Sequence, residues 1–404
     1  MSLLPAPMRE RYSPLYFLAS LGAGGLTVTF FMFLMFWVPH PGQPVPIFED
    51  IAKAFATGGV PMQVAIAVAM AGIAVMAFTN IRLLIWNFRE LGAFQQTDAW
   101  AAMTRSNAET QVLAGPLAAA MTVNVGFILG LVFVPGLWGV VEYLFPLAMA
   151  AFMLIGIWAL RLTGRFLRRV LSEGGFDMKA NNSFAQMMPA FALAMVGVGL
   201  AAPVAMSLTP LTAGIAIALS LFFITLATIG TVIAMVMGLS SILQHGTAKE
   251  AAPTLMVVIP ILTVVGIAWM RLSHGLHVHF GVHGGAGETL VFLARILSLQ
   301  VMVAMVGVMV LRAQGYWAAF IASDAKSAGS YALICPGVAL NVMLHFFINK
   351  GLVANALIAK FGVAYWSLTA IAIALQIAMV ALVFKLNSKL LSGGDVRGGL
   401  LPAE

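Results

Sequence analysis

A hydroxyl side chain followed six positions later by a proline occurs four times in this chain, each time inside a long apolar segment. Serine and threonine hydroxyls cap helices or bond water, and a proline leaves the carbonyl four residues before it without its intrahelical partner. In hydrocarbon such a carbonyl is tolerated only beside protein or water. The pattern therefore indicates helices that border a solvated space. The four pairs are Thr110 and Pro116, Ser183 and Pro189, Thr254 and Pro260, and Ser330 and Pro336.

The composition places these segments in a bilayer. Hydrophobic residues make up 61% of the 404 residues and charged residues only 9%, whereas soluble domains carry about 25% charged residues. The first apolar run follows Arg9 and Arg11 and ends without a small-residue cleavage site, which favours a retained span over a signal peptide. The formal charge of +7 is typical of basic residues that flank membrane spans. The one cysteine, Cys335, excludes an intrachain disulfide.

Ten segments approach or exceed the ~20 residues that a helix needs to cross a bilayer. Of the 21 Lys and Arg residues, 16 fall on the side of the two termini, 4 on the other side and one, Arg295, within the eighth span. Because basic residues accumulate on the cytoplasmic side, we expect both termini in the cytoplasm and the chain in the inner (cytoplasmic) membrane. The predicted spans cover 14–37, 61–87, 109–134, 138–163, 183–206, 211–239, 253–271, 288–312, 328–349 and 363–387.

The four prolines fall in the odd spans 3, 5, 7 and 9, at separations of 73, 71 and 76 residues. This repeat predicts an all-α integral membrane fold of five helical hairpins, with an inner ring of odd helices around a pore and an outer ring of even helices. Span 1 lacks the proline, and its glycines are its predicted flexible element. The alternative is that the prolines only kink packed helices. The predicted parts are a cytoplasmic N-terminal tail (1–12), a ten-helix transmembrane domain (13–390) and a cytoplasmic C-terminal tail (391–404).

Four segments of the chain resemble the third, fifth, seventh and ninth helices of the tellurite-resistance/dicarboxylate transporter family, which includes the plant slow-type anion channels. They read RSNAETQVLAGPLAAAMTVNVG, KANNSFAQMMPAFALAMVGVG, KEAAPTLMVVIPILTVVGIA and KSAGSYALICPGVALNVMLHF. The resemblance covers about residues 13–390 and lies in order and spacing more than in identity. It implies a homotrimer in which each subunit has its own anion pore, with selectivity set by a positive field.

One position departs from that family. Its channels carry a phenylalanine gate just before the kink of the ninth helix, and the equivalent residue here is Cys335, directly before Pro336. A cysteine is too small to plug a pore as a phenyl ring does. Three alternatives remain: the gate lies at another position, the pore is more open, or the protein moves a bulkier substrate by alternating access. Phe17 and Phe184 are the candidates for a replacement aromatic gate.

We expect the pore lining to come from the odd helices. Arg295 and His345 are candidates for attracting anions, because ionisable groups inside a membrane commonly serve function. Snorkelling of Arg295 to the surface and a helix-bridging hydrogen bond of His345 are the alternatives. The predicted lining residues are Ser20, Pro116, Gln186, Pro189, Pro260, Cys335 and Pro336.

Four of the seven histidines fall in the predicted connection between spans 7 and 8. Imidazole clusters bind zinc or copper, but this spacing matches no standard site and no cysteine accompanies it. We therefore expect an ordinary polar loop and no metal, with a pH sensor as the alternative. The four residues are His274, His277, His279 and His283.

The sequence shows no nucleophile with a nearby base and no phosphate-binding glycine loop, so we expect neither an enzyme nor a cofactor. The odd helices are poor in carboxylates, which predicts passive passage of small inorganic or organic anions through a pore in each subunit. The alternative is a secondary, proton-coupled transporter of sulfite, tellurite or a C4-dicarboxylate, with His345 as its titratable group. A membrane scaffold or sensor is the third hypothesis. The expected partners are these anions, the lipid bilayer and further copies of the chain, without nucleic acid.

Overall fold

Ten long apolar helices make up most of the part of the chain that the structure describes. The computed structural model describes residues 4–282 and 284–392; 81% of the chain is helical, and no strand occurs in those ranges. The predicted all-α fold with ten candidate membrane spans is thereby confirmed, and it fits a multi-pass membrane protein. Spans 1 to 10 are Pro14–Trp37, Val60–Phe94, Asn107–Phe133, Leu137–Glu173, Ala185–Met206, Pro210–His245, Ala252–Phe280, Ala286–Ala313, Ala328–Val353 and Val363–Leu390.

Shorter helices connect some of the spans. Phe48–Thr57 lies between spans 1 and 2, in the segment for which the sequence predicts a short amphipathic helix, and it buries Ile51 and Ala54. Asp98–Met103 connects spans 2 and 3, and a π-helical turn, Trp317–Ala322, connects spans 8 and 9.

Several spans are longer than their apolar runs predict. Span 4 continues to Glu173 rather than residue 163, and span 7 continues to Phe280 rather than residue 271. Hydropathy detects only the part of a helix that fits the hydrocarbon, whereas backbone bonding extends the helix into polar sequence. Spans 2 and 6 likewise end later than predicted, at Phe94 and His245.

The four prolines of the repeat lie near the start of an α-helix and do not kink its middle. Each of the five odd spans begins with a 3₁₀ segment, here called its lead segment, and then becomes α-helical. The α-helix of span 5 is interrupted at Ala201, and span 9 ends in a π-helical segment, Phe347–Val353. The four prolines are the second or third residue of the α-helical part, where an amide N–H has no intrahelical partner in any case. The predicted mid-helix interruption is therefore a change of helix type at its first turn. The lead segments are Pro14–Tyr16, Asn107–Leu113, Ala185–Met187, Ala252–Met256 and Ala328–Leu333.

Odd and even spans differ in burial. In the most apolar window of each odd span, 50% to 94% of the residues are buried, against 22% to 33% in the even spans. The odd spans therefore supply the interior of the molecule. Spans 1 and 2 pack antiparallel, as the contacts of Ser20 with Asn80 and of Phe30 with Gly72 show.

The glycines of span 1 serve close packing rather than flexibility. The span is one continuous α-helix from Phe17 to Trp37. A Cβ added at Gly22 would lie 2.9 Å from Ile334 of span 9, and one at Gly25 would lie 2.8 Å from Val338 of the same span. The missing side chains let spans 1 and 9 approach each other closely.

Candidate functional site

The lead segments of the odd spans, together with the one or two residues before them, contact one another at one end of the bundle. We call this the terminal end, because span 1 begins there and span 10 ends there. Each odd span contacts the next odd span, and span 9 contacts span 1, through side chains or backbone. The contacts are Ser13 Oγ to Gln111 Oε1 (3.4 Å), Gln186 Nε2 to the Asn107 carbonyl (3.0 Å), the Phe184 N–H to Thr254 Oγ1 (3.1 Å), Gly329 against the Glu250 carbonyl, and the Tyr16 and Tyr331 rings (6.1 Å between centroids).

The α-helical parts of the odd spans make a second series of contacts in the same order. Span 3 meets span 1, span 5 meets span 3, and the series continues to span 9, which meets span 1 again. The contacts are Gly24 against Met121, Asn124 Nδ2 to Met195 Sδ (3.9 Å), Arg271 Nη1 to the Val198 carbonyl (2.8 Å), Thr263 Oγ1 to the Ala339 carbonyl (3.4 Å), and Gly22 against Ile334.

Arg271 is the one arginine in the α-helical parts of the odd spans. It lies toward the end of span 7 that is opposite to the terminal end, and its guanidinium donates to the carbonyl of Val198 in span 5. Among the residues that the structure describes, the ion pairs join other arginines to Glu109, and no carboxylate reaches Arg271. The guanidinium has five N–H donors, so one bond to a carbonyl leaves most of them available.

Arg271 shares a helix face with Pro260, since the helical period brings residues 260, 264 and 271 into line. The neighbouring face, at Thr263, contacts span 9, and Arg271 itself contacts span 5. The line through Pro260 and Arg271 therefore lies between the two odd neighbours of span 7 and faces the interior.

Cys335 also lies on an interior face. Ile334 and Val338 pack on span 1, and the Ala339 carbonyl accepts a bond from span 7. The helical period places Cys335 between these two contact directions. Its side chain is buried, with 8% exposed. Pro336 lies one residue later and points elsewhere, because it shares the face of Met343, which packs against Gly266 and Leu293.

Phe191 of span 5 supplies an interior aromatic ring that the sequence analysis does not single out. Residues 191, 195 and 198 share one helix face. Met195 contacts span 3 and Val198 contacts span 7, so this face lies between the two odd neighbours of span 5. The Phe191 side chain is buried, with 3% exposed.

The two predicted aromatic gates face other helices. The Phe17 ring meets the Phe88 ring of span 2, with 5.3 Å between centroids, and it lies near Gly115 of span 3. The Phe184 ring packs against Gly238 of span 6. Both rings therefore contact an even span, and this leaves Phe191 as the aromatic ring that we place on an interior face.

The predicted polar lining residues have protein partners. The Ser20 hydroxyl donates to the Asn80 carbonyl of span 2 at 2.8 Å, so it faces an even span. The Gln186 amide binds span 3 at the terminal end, as given above, and its Oε1 atom is buried without a partner. Pro116 and Pro189 lie in the first turn of their α-helices.

The two residues predicted to attract anions lie apart from the interior face. Arg295 is exposed on span 8, on the same side as Val291 and Leu299, which are also exposed. His345 is completely buried between the rings of Phe33 and Phe36 of span 1. Neither side chain lies on the helix faces that carry Pro260, Phe191 and Cys335.

Glu109 and Tyr316 are buried ionisable residues at the terminal end. Glu109, in the lead segment of span 3, pairs with Arg165 at 3.2 Å and with Arg169 at 3.0 Å. The Tyr316 phenol lies 2.9 Å from the Ser330 hydroxyl of span 9, and burial raises the pKa of Tyr316 to about 12. This phenol stays neutral at physiological pH.

Three of the four histidines predicted to lie in the connection between spans 7 and 8 are helical. His274, His277 and His279 belong to span 7, and His279 Nε2 lies 3.0 Å from the Ser207 carbonyl. His283 lies outside the described residues. Among the described residues, no group of three or more His, Cys, Asp or Glu side chains is placed to hold a metal ion.

Sequence reasoning missed Arg271 and Phe191. The apolar run of span 7 ends at Arg271, so hydropathy places this residue among the charges outside the membrane. Its signal was its place 11 residues after Pro260, on the same helix face. Phe191 had no such signal, because it lies two residues after Pro189 and residues at that spacing are on different helix faces. Comparison with known proteins gave no significant match to any protein-family model or curated sequence.

Proposed function

We propose that the protein passes small anions passively through the space enclosed by its odd spans. Arg271 carries this proposal: an arginine without a carboxylate partner bridges two odd spans from their interior faces. The α-helical parts of the odd spans contain no Asp or Glu. A fixed positive charge and free N–H donors in a carboxylate-free path favour anions over cations.

The architecture that we infer is a ring of five odd helices inside five even ones. Its support is the order of contacts, since each odd span meets the next and span 9 meets span 1, both at the lead segments and between the α-helical parts. The greater burial of the odd spans agrees with an inner position. The antiparallel packing of spans 1 and 2 agrees with helical hairpins.

We infer that the path is closed in this conformation. Phe191 and Cys335 share the interior, and both side chains are almost completely buried. A closed path needs a movable obstruction, and a phenyl ring turns by rotation about two side-chain bonds. We assign Phe191 the gating role that the sequence analysis gave to Phe17 or Phe184.

Passive passage fits the interior better than a proton-coupled carrier does. A carrier of that kind needs a titratable group in the path, and His345, the residue considered for it, lies between span 1 and span 9 rather than on an interior face. The proposed substrates remain small anions as a class, with sulfite, tellurite and C4-dicarboxylates among the compounds to test.

We further propose a homotrimer with cytoplasmic termini. Even spans carry many exposed apolar side chains, which suit lipid or neighbouring subunits. Basic residues concentrate at the terminal end, as in the span 4 extension with Arg161, Arg165, Arg168 and Arg169. This asymmetry is typical of a cytoplasmic side.

Flux into liposomes tests the proposal. Purified protein is reconstituted, and the uptake of chloride, nitrate, sulfite and malate is followed with and without an imposed pH gradient. We expect anion uptake that follows the electrochemical gradient of the anion and exceeds potassium uptake. Uptake that requires the proton gradient would establish the coupled carrier instead, and the absence of uptake for every anion would refute transport of this class.

A further inference from the structure

A line of polar side chains, buried except at one end, runs between spans 9 and 10, beside the end of span 1. We call it the polar seam. On span 10 its residues are four and then seven positions apart, so they share one helix face. The seam consists of Trp37, Asn341, His345, Asn349, Tyr365, Thr369 and Gln376.

Several polar atoms of the seam have no protein partner. Asn341 and His345 are completely buried, and Gln376 is 4% exposed. Even so, one polar atom of Asn341, two of His345 and two of Gln376 have no protein partner. They are Asn341 Oδ1, His345 Nδ1 and Nε2, and Gln376 Nε2 and Oε1. Leaving a buried donor or acceptor unpaired costs about 1–3 kcal/mol per group. A cluster of such groups therefore indicates a bound molecule.

The chemistry of the unpaired atoms selects the bound molecule. Asn341 Oδ1 is an acceptor, Gln376 offers both a donor and an acceptor, and a neutral imidazole offers one of each. A cation would bind acceptors alone and an anion would bind donors alone. Water both donates and accepts, and buried water typically bonds two to four such groups.

The far end of the seam, away from the terminal end, lies close to the protein surface. There Trp37 Nε1 donates to the Tyr365 hydroxyl at 3.0 Å, and that hydroxyl donates to Asn349 Oδ1 at 3.2 Å. Trp37 is partly exposed, and Lys350, the neighbour of Asn349, is exposed. From Tyr365 to Gln376 the seam covers about 16 Å of helix.

Apolar contacts close the seam toward the terminal end. One turn beyond Gln376, Met379 packs directly against Gly337 of span 9. Val383, one turn further along span 10, is completely buried. The polar stretch therefore ends inside the protein, about halfway through a ~30 Å hydrocarbon layer.

The seam is separate from the interior of the odd spans. Asn341 faces span 10, where its Nδ2 donates to the Ala372 carbonyl at 2.6 Å. His345 lies one turn later on the same face and meets Phe33 and Phe36. The interior face of span 9, at Cys335, points in another direction.

We propose that the polar seam holds a file of ordered water that enters from the end opposite to the terminal end and puts His345 in proton exchange with the solution there. A hydronium ion in the file passes one proton to an imidazole nitrogen and becomes water; the reverse step returns it. The side chains against His345 from span 1 are Phe33 and Phe36, and its span 9 neighbour Asn349 is uncharged. The remaining titratable group of the seam is the Tyr365 phenol.

Deuterium exchange at the imidazole C–H, read for each histidine by mass spectrometry, tests this in the intact protein. The exchange needs water at the ring, and its pH profile reports protonation of that ring. We expect the deuterium exchange rate of the His345 ring to lie within about tenfold of the rate of the His245 ring, which is exposed at the terminal end. Protection of His345 by a factor of about a thousand or more would show a dry seam and overturn the proposal.

Three substitutions locate the opening of the file. Asn349→Leu fills its opening and should slow exchange at His345 about tenfold or more, whereas Gln376→Leu, beyond His345, should leave that rate unchanged. Ser220→Ala is the matched control, because it removes a buried hydroxyl that bonds the Gly197 carbonyl far from the seam. Slowing by Gln376→Leu but not by Asn349→Leu would overturn the assigned opening. The measurement requires no anion flux, so it stands or fails independently of the proposed transport.

Discussion

Arg271 Nη1 lies 2.8 Å from the carbonyl oxygen of Val198, and this bond joins span 7 to span 5. The bond fixes the guanidinium over the interior faces of two helices without neutralising it. A carbonyl partner is uncharged and leaves a net positive charge at Arg271, whereas a carboxylate partner would cancel that charge. The relationship therefore supplies a positive field at the point where two odd spans meet.

Removing that charge should reduce anion passage. We expect Arg271→Gln to lower chloride or nitrate flux in liposomes about tenfold or more and to reduce the preference for anions over potassium, because the fixed charge sets the local concentration of the ion. Arg271→Lys, which keeps the charge, should retain most of the flux. Arg295→Gln is the control, since it removes a positive charge from an exposed face of span 8. Equal losses in the two glutamine variants would rule out a special role for Arg271.

Shortening the interior aromatic side chain should open the path. Phe191→Ala removes the ring from the interior face of span 5, and we expect a several-fold rise in anion flux through the reconstituted protein. Phe184→Ala removes a ring that packs against Gly238 of span 6 and serves as the matched control. If the control raises flux and Phe191→Ala does not, the gate lies elsewhere.

Enlarging the side chain at Cys335 should have the opposite effect. A phenyl group at this position adds volume between the faces that contact span 1 and span 7, so Cys335→Phe should lower flux. A small thiol reagent should also block flux, because Cys335 is the only cysteine of the chain. Cys335→Ala keeps the site small and should abolish the block without reducing flux. Unchanged flux in Cys335→Phe would remove this residue from the path.

One prediction concerns the stability of the close helix packing and does not depend on function. A Cβ at Gly199 would overlap the Phe152 ring of span 4, so Gly199→Ala should lower the free energy of unfolding by about 1–3 kcal/mol. Gly126→Ala is the control, since no heavy atom lies within 4 Å of the added Cβ. Thermal unfolding in one detergent measures both. A loss of stability in the control as large as that of Gly199→Ala would contradict the packing argument.

The sequence alone determined the class of protein and the number of spans. Length and hydropathy are local properties, so ten apolar runs of membrane length identified ten helices without reference to their neighbours. The position of the prolines in odd spans was equally visible. Their structural effect was not, because a proline six residues after a hydroxyl fits either a mid-helix kink or the first turn of an α-helix that follows a 3₁₀ segment.

Only the tertiary structure decided which side chains face the interior. Ser20 and Phe17 lie in span 1 and Phe184 lies directly before span 5, but all three contact even spans, whereas Arg271 and Phe191 face odd neighbours. The direction of a side chain depends on how its helix is rotated and what packs against each face. An almost uniformly apolar helix carries no amphipathic pattern to reveal that rotation. For the same reason the polar seam became apparent only when spans 1, 9 and 10 were brought together.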